Sequence, residues 1–252
     1  MTKAFAAEYP VQQAKKRIIV ALDVATAAEA RDIVEELGDS VGAFKVGWQL
    51  FTAAGPGFIK ELTGSGRQVF LDLKFHDIPN TVANAAVEAA RLGVWMLNVH
   101  AVGGSEMMKR TADVVRTACE REGLKCPLVI AVTVLTSSDD ATLREVGIEA
   151  TAEAQVIRLA KLAADSDLDG VVASPREARA IRDAVARKDF SIVTPGIRAG
   201  GATIDDQKRV TTIAEAFANG SSYVVIGRPI IEAADRMKAA AKFIEEAESI
   251  NK

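Results

Sequence analysis

Two acids and a lysine fall within six positions of DLKFHDIPNTV, residues 72–82: Asp72, Lys74 and Asp77, directly after the apolar run Val69-Phe70-Leu71. Further charges close or interrupt two earlier apolar runs, Asp23 ending IIVALD and Lys45 inside AFKVG. Such groups at the ends of buried strands form a structural ion-pair network, or they stabilise charge and move protons for a bound molecule. Alternation along an extended strand puts Asp72 and Lys74 on one face and Leu71 and Leu73 on the other. Desolvating four charges on three successive strand ends costs several kcal/mol unless each is compensated, and stability alone is a poor reason to retain them. The pattern favours a working site.

Those charges need strands to carry them, and the chain supplies eight short apolar runs: Ile18 to Leu22, Ala43 to Val46, Val69 to Leu71, Val94 to Val99, Leu128 to Val134, Gly170 to Ala173, Ser191 to Val193 and Tyr223 to Ile226. Most lack polar alternation and are β-branched, as parallel strands covered on both faces require. Helical patterns fill the gaps. Thr26-Ala27-Ala28-Glu29 reads as a capping box, and Ser174-Pro175-Arg176-Glu177 as another with proline at the first helical position. The gap between Val134 and Gly170 leaves room for an extra helix around Asp140 to Glu145. Strand then helix, repeated along the chain, predicts a (β/α)8 TIM barrel, with a doubly wound open sheet as the alternative. No linker or compositional break divides the chain, so one domain is expected over residues 1–252.

Composition narrows the class of partner. With 252 residues, 49% hydrophobic and 26% charged, the chain can bury a large core. A net charge of -3 argues against nucleic acid and anionic lipid as partners. No apolar stretch approaches the roughly 18 residues of a membrane span, and the N-terminal MTKAFAAEYPVQQAKK lacks a signal-peptide apolar block, so a cytoplasmic address is expected. Cys119 and Cys126 sit in no metal-like or redox spacing and read as ordinary thiols.

In many barrels the loops after strands 7 and 8 hold phosphate. Gly227-Arg228-Pro229 suits the second of them: glycine lets the backbone approach, Arg228 can bind two oxygens in a fork, and Pro229 fits a first helical turn. The first is GIRAGGATIDDQKR, where three glycines within six residues suggest a movable lid.

Taken in order, ALD with Asp23, FKVG with Lys45, DLKFHDIPNTV, TVLTS with Thr136, TPGIR followed by DDQKR, and IGRPI resemble the orotidine 5'-monophosphate decarboxylase family, in its bacterial form, over nearly the whole chain. The resemblance implies a (β/α)8 barrel and a homodimer. It also implies conversion of orotidine 5'-monophosphate to uridine 5'-monophosphate without metal or organic cofactor, a step of de novo pyrimidine biosynthesis. Loss of carbon dioxide from the pyrimidine C6 leaves an electron pair that the ring cannot easily delocalise, so a fixed cation must meet it. By resemblance Lys74 is that cation and the proton donor, Asp72 sits near the leaving carboxylate, and Lys45 completes the array. Asp77, with Ile78 and Thr81, is expected to reach the neighbouring subunit's site; Thr81 also reads as a helix-starting residue after Pro79. Arg198 and Gln207 would close over the phosphate beside Gly227 and Arg228. Thr136, with Ser137 as its neighbour, would contact the base. Asp23 and Lys45 would contact the ribose, although Asp23 also reads as a helix cap.

His76 and His100 read as satisfied structural groups, and Trp48 and Trp95 as packing residues. Relatives that share D-x-K-x-x-D act on sugar phosphates as metal-dependent decarboxylases or aldolase-like enzymes, with an acid on strand 2 helping to hold magnesium. Lys45 occupies that place here, and a cation would repel a divalent metal. A non-catalytic barrel that senses a nucleotide would need the phosphate handle but not a buried proton donor.

Overall fold

Each apolar run becomes a strand, and the eight strands close on one another in the computed structural model, which describes residues 11–198 and 211–249. The first half runs β1 (Ile18–Ala21), α1 (Ala27–Leu37), β2 (Ala43–Gly47), α2 (Trp48–Gly64), β3 (Val69–Phe75), α3 (Pro79–Arg91), β4 (Met96–His100) and α4 (Gly104–Glu122). It continues through β5 (Leu128–Val132), α5 (Asp140–Glu145), α6 (Ala152–Ala164), β6 (Gly170–Val172) and α7 (Ala178–Ala184). The last part is β7 (Ser191–Thr194), α8 (Ile213–Ala218), β8 (Tyr223–Ile226), α9 (Arg228–Ile231) and α10 (Arg236–Glu248). All pairings are parallel and sequential, and β1 meets β8 through Ile19 opposite Val225 to complete the closed barrel. The extra helix between β5 and β6 is α5, at the expected residues.

Two apolar layers explain why the strands show no polar alternation. Ile19, Ala43, Phe70, Met96, Ile130, Val193 and Val225 fill the barrel interior, with Val172 of β6 packed against them. Their neighbours Ile18, Val20, Phe44, Val46, Leu71 and Leu97 face outward, into the core shared with the helices. A strand covered on both sides must be apolar on both.

Local signals place most helix starts. Thr26 caps α1 in a two-way box with Glu29, so Asp23 is not the cap. Pro79 opens α3 with Ile78 as its cap residue, and Thr81 lies in that first turn. The Ser174-Pro175-Arg176-Glu177 expectation is corrected: α7 starts at Ala178. Glu177 does reach back to the Ser174 N–H (3.1 Å), but the Ser174 hydroxyl accepts from Arg176 rather than Glu177. The Glu177 N–H goes instead to the Ser174 carbonyl, closing a turn before the helix. Gly55, at φ +70°, and Pro56 kink α2, because proline cannot donate into a continuous ladder.

Trp95 packs edge-on against Tyr223 at the barrel interior, with centroids 5.1 Å apart. Trp48 departs from the packing expectation. It is the first residue of α2 and is 56% exposed.

Candidate active site

Inward positions at the C-terminal ends of three neighbouring strands build the site. Beyond Ala43, Phe70 and Met96 of the interior layer, alternation brings Lys45 of β2, Asp72 and Lys74 of β3, and Asn98 and His100 of β4 to the barrel mouth. Parallel register sets their heights, with Lys45 beside Phe70 and Gly47 beside Asp72. β3 is not a regular strand there. Its pairing with β4 shifts between Leu71 and Phe75, and Lys74 adopts φ +48°, a left-handed conformation that L-residues rarely hold.

The charges form one alternating chain. Asp23 accepts from Lys45 Nζ at 3.0 Å, Lys45 Nζ lies 3.4 Å from Asp72 Oδ2, and Lys74 Nζ donates to Asp72 Oδ1 at 2.7 Å. Asn98 Nδ2 donates to the same Asp72 Oδ1 at 2.7 Å. Burial alone would push the Asp72 carboxyl up, but the ammoniums of Lys45 and Lys74 and the hydrogen bonds from Lys74 and Asn98 outweigh it and hold the group below its ordinary range. Burial likewise disfavours the Lys45 ammonium, and the carboxylates of Asp72 and Asp23 override it, holding Lys45 above the usual lysine range. Both therefore stay charged at neutral pH.

A cavity of about 440 Å³ opens over this array. Asp23, Lys45, Asp72 and Lys74 line one side; Thr136 and Ser137, from the loop after β5, line another. Arg198, after β7, and Gly227 and Arg228, after β8, complete it. Arg228 begins α9, with Pro229 in its first turn. Carboxylate, ammonium and guanidinium groups thus face one space large enough for a small polar anion.

Asp77, Ile78 and Thr81 are not brought into this cavity. All three are exposed beside it, Ile78 at 67%, and Asp77 Oδ1 accepts from the Ile78 N–H at 2.6 Å. Gln207 lies outside the described residues. Among the described residues, no group of three or more His, Cys, Asp or Glu side chains is arranged to hold a metal ion.

Two participants escaped the sequence reading. Asn98 is fully buried and spans Asp72 and the Lys74 backbone, to whose N–H its Oδ1 is bonded at 2.7 Å. Its only signal was a lone amide in the apolar stretch WMLNVH, where a buried polar group needs partners. Gly47 leaves room for the array, since a Cβ there would lie 3.3 Å from Lys45 Nζ. The expectation for His100 is also corrected. Its Nδ1 is buried without a hydrogen-bond partner among the described residues, and its ring centroid is 5.8 Å from that of His76. Burial first, then His76 and the Lys74 charge, holds His100 below its ordinary range and hence neutral.

Comparison with known proteins places this arrangement among relatives. The family model described as orotidine 5'-phosphate decarboxylase / HUMPS family matches residues 16–243. The orotidine 5'-phosphate decarboxylase of Syntrophotalea carbinolica is 52% identical over 234 residues, covering 93% of this chain and 96% of that protein. The enzyme of the same name from Geobacter sulfurreducens is 53% identical over 234 residues, 93% of this chain and 97% of its own. Among solved structures, the orotidine 5'-phosphate decarboxylase of Lactobacillus acidophilus superposes with a TM-score of 0.80 at 41% identity, covering 91% of this chain and 98% of that one.

Proposed function

The chain belongs to the orotidine 5'-phosphate decarboxylase / HUMPS family, and from that premise we propose that it converts orotidine 5'-monophosphate to uridine 5'-monophosphate and carbon dioxide. The step would serve pyrimidine nucleotide synthesis in the cytoplasm, with one domain and no cofactor. The observation that carries this reading is Asp72 held between Lys45 and Lys74, at 3.4 and 2.7 Å, under the cavity.

In the proposed reaction the bond from C6 to the carboxylate breaks, carbon dioxide leaves, and the electron pair stays on C6. The Lys74 ammonium meets that charge and then delivers its proton to C6, regaining one from solvent. Asp72 and Lys45 keep the ammonium charged and aimed. Thr136 and Ser137 face the base, and Asp23 and Lys45 the ribose. Arg228, the Gly227 backbone, Arg198 and Gln207 take the phosphate, whose binding energy helps organise the reacting centre. Incubating the purified protein with the nucleotide tests this: uridine 5'-monophosphate and carbon dioxide should appear in equal amounts, and an unchanged substrate would refute it.

We also propose a homodimer in which Asp77, Ile78 and Thr81 complete the partner's site. Their exposure beside their own cavity supports this, as do Trp48, Ile78, Val102 and Leu135. These four are exposed apolar side chains that follow the C-terminal ends of β2, β3, β4 and β5 in turn.

The phosphate handle has its own test. Arg228→Ala is expected to lower kcat/KM about 100-fold, because charge-assisted bonds that also align the ring are lost. Orotidine lacking the phosphate should be affected far less, by about threefold or under, since that substrate offers the guanidinium no phosphate. Equal losses with both substrates would make Arg228 a structural residue.

A further inference from the structure

We propose that Asn98 is a positioning residue for the reaction: through the two ends of one amide it holds the left-handed backbone of Lys74 and fixes the plane of the Asp72 carboxylate. This rests on the reading of Lys74 and Asp72 given above. Among the described residues only Lys74 and Asp167 combine a side chain with positive φ. In that conformation, within the register break of β3, the Lys74 N–H has left the ladder to β4 and goes to Asn98 Oδ1 at 2.7 Å.

The orientation of the amide follows from its partners. A backbone N–H can only donate, so the oxygen of Asn98 must face Lys74 and the NH2 must face Asp72. Asp72 Oδ1 then receives both Asn98 Nδ2 and Lys74 Nζ at 2.7 Å, leaving Oδ2 to Lys45 at 3.4 Å. One neutral, fully buried side chain thereby sets the position of the lysine from its backbone and its bearing from its counter-ion. A leucine of similar volume would leave the N–H orphaned and take from the carboxylate its one neutral, fully buried donor, leaving only the two lysine chains to set its plane.

Asn98→Ala should lower kcat about 100-fold, the scale of a displacement of about 1 Å at a reacting centre. KM should move less than about threefold, because the phosphate handle after β7 and β8 is untouched. Asn98→Asp separates positioning from structural support. The new group still accepts from the Lys74 N–H but sets a carboxylate against Asp72, so kcat at neutral pH should fall at least as far. As pH falls the new carboxyl takes the shared proton, since two ammoniums hold Asp72 ionised, and becomes a donor again. The ratio of its kcat to that of the parent should therefore rise toward acid. Thermal unfolding and uridine 5'-monophosphate binding report whether each variant is folded, and Asn98→Asp carries the test if the alanine variant is not. A kcat within about threefold of the parent for Asn98→Ala, or a pH-independent ratio for Asn98→Asp, overturns the proposal. Lys74→Ala is measured alongside. If it keeps turnover, the reading of Lys74 fails and the positioning role falls with it; if it is inactive while Asn98→Ala is native-like, the positioning role alone fails.

Discussion

Replacing Lys74 by alanine should reduce turnover of orotidine 5'-monophosphate by about 100,000-fold, the combined scale of a lost proton donor and a lost fixed cation at a developing charge. The substitution removes an ammonium that ends at the cavity with a single carboxylate partner among the described residues, since Lys45 bridges Asp23 and Asp72 while Lys74 pairs with Asp72. The barrel should survive. Lys74 is partly exposed, its side chain contributes nothing to either apolar layer, and Asp72 retains Lys45 and Asn98. Affinity for uridine 5'-monophosphate should stay within about tenfold of the parent, because phosphate contacts supply much of it. Single-turnover chemistry and calorimetric binding, taken together, separate the two effects. Near-native turnover would mean that another group delivers the proton.

Mixing two inactive variants should restore activity. On the proposed shared-site reading, Lys74→Ala and Asp77→Ala are each expected to be nearly inactive as homodimers, the first for lack of the donor and the second because Asp77 would be supplied to the partner's array. After subunit exchange, a hybrid has one site with both defects and one with neither. Random exchange makes half the dimers hybrid, so about a quarter of all sites should become native in an isologous two-fold dimer. The geometry that motivates this is local: Asp77 lies three residues past Lys74, outside the cavity that Lys74 lines, turned to its own Ile78 N–H. Exchange demonstrated by mass spectrometry without recovery of activity would place Asp77 in its own subunit's chemistry and end the shared-site reading.

What could be read from the sequence was whatever carried a large physical cost. Eight doubly covered strands cannot hide, because both faces must be apolar, and each run falls on a strand. Charges at buried strand ends are equally conspicuous, and Asp23, Lys45, Asp72 and Lys74 do meet around one cavity. The details that stayed hidden depend on backbone geometry or on neutral groups. Alternation put Asp72 and Lys74 on one face, and they are in contact, yet the lysine gets there through a left-handed residue in a broken register, which no residue pattern announces. Asn98 carries no charge and looked like one more strand residue. Ser174 and Glu177 had the composition of a capping box, but which N–H the serine engages decided between a turn and a helix. Trp48 is exposed, and a residue type alone does not say whether a side chain will be covered.

The most direct measurement follows orotidine 5'-monophosphate spectrophotometrically with protein exhaustively treated with a chelator, in parallel with a ketose phosphate and added magnesium. Lys45, a cation paired with Asp72 in the strand 2 place where a metal-dependent relative would carry an acid, leads to the expected result: undiminished loss of the orotidine nucleotide without metal, and no turnover of the sugar phosphate. Inertness toward the nucleotide together with magnesium-dependent turnover of the sugar phosphate would contradict it.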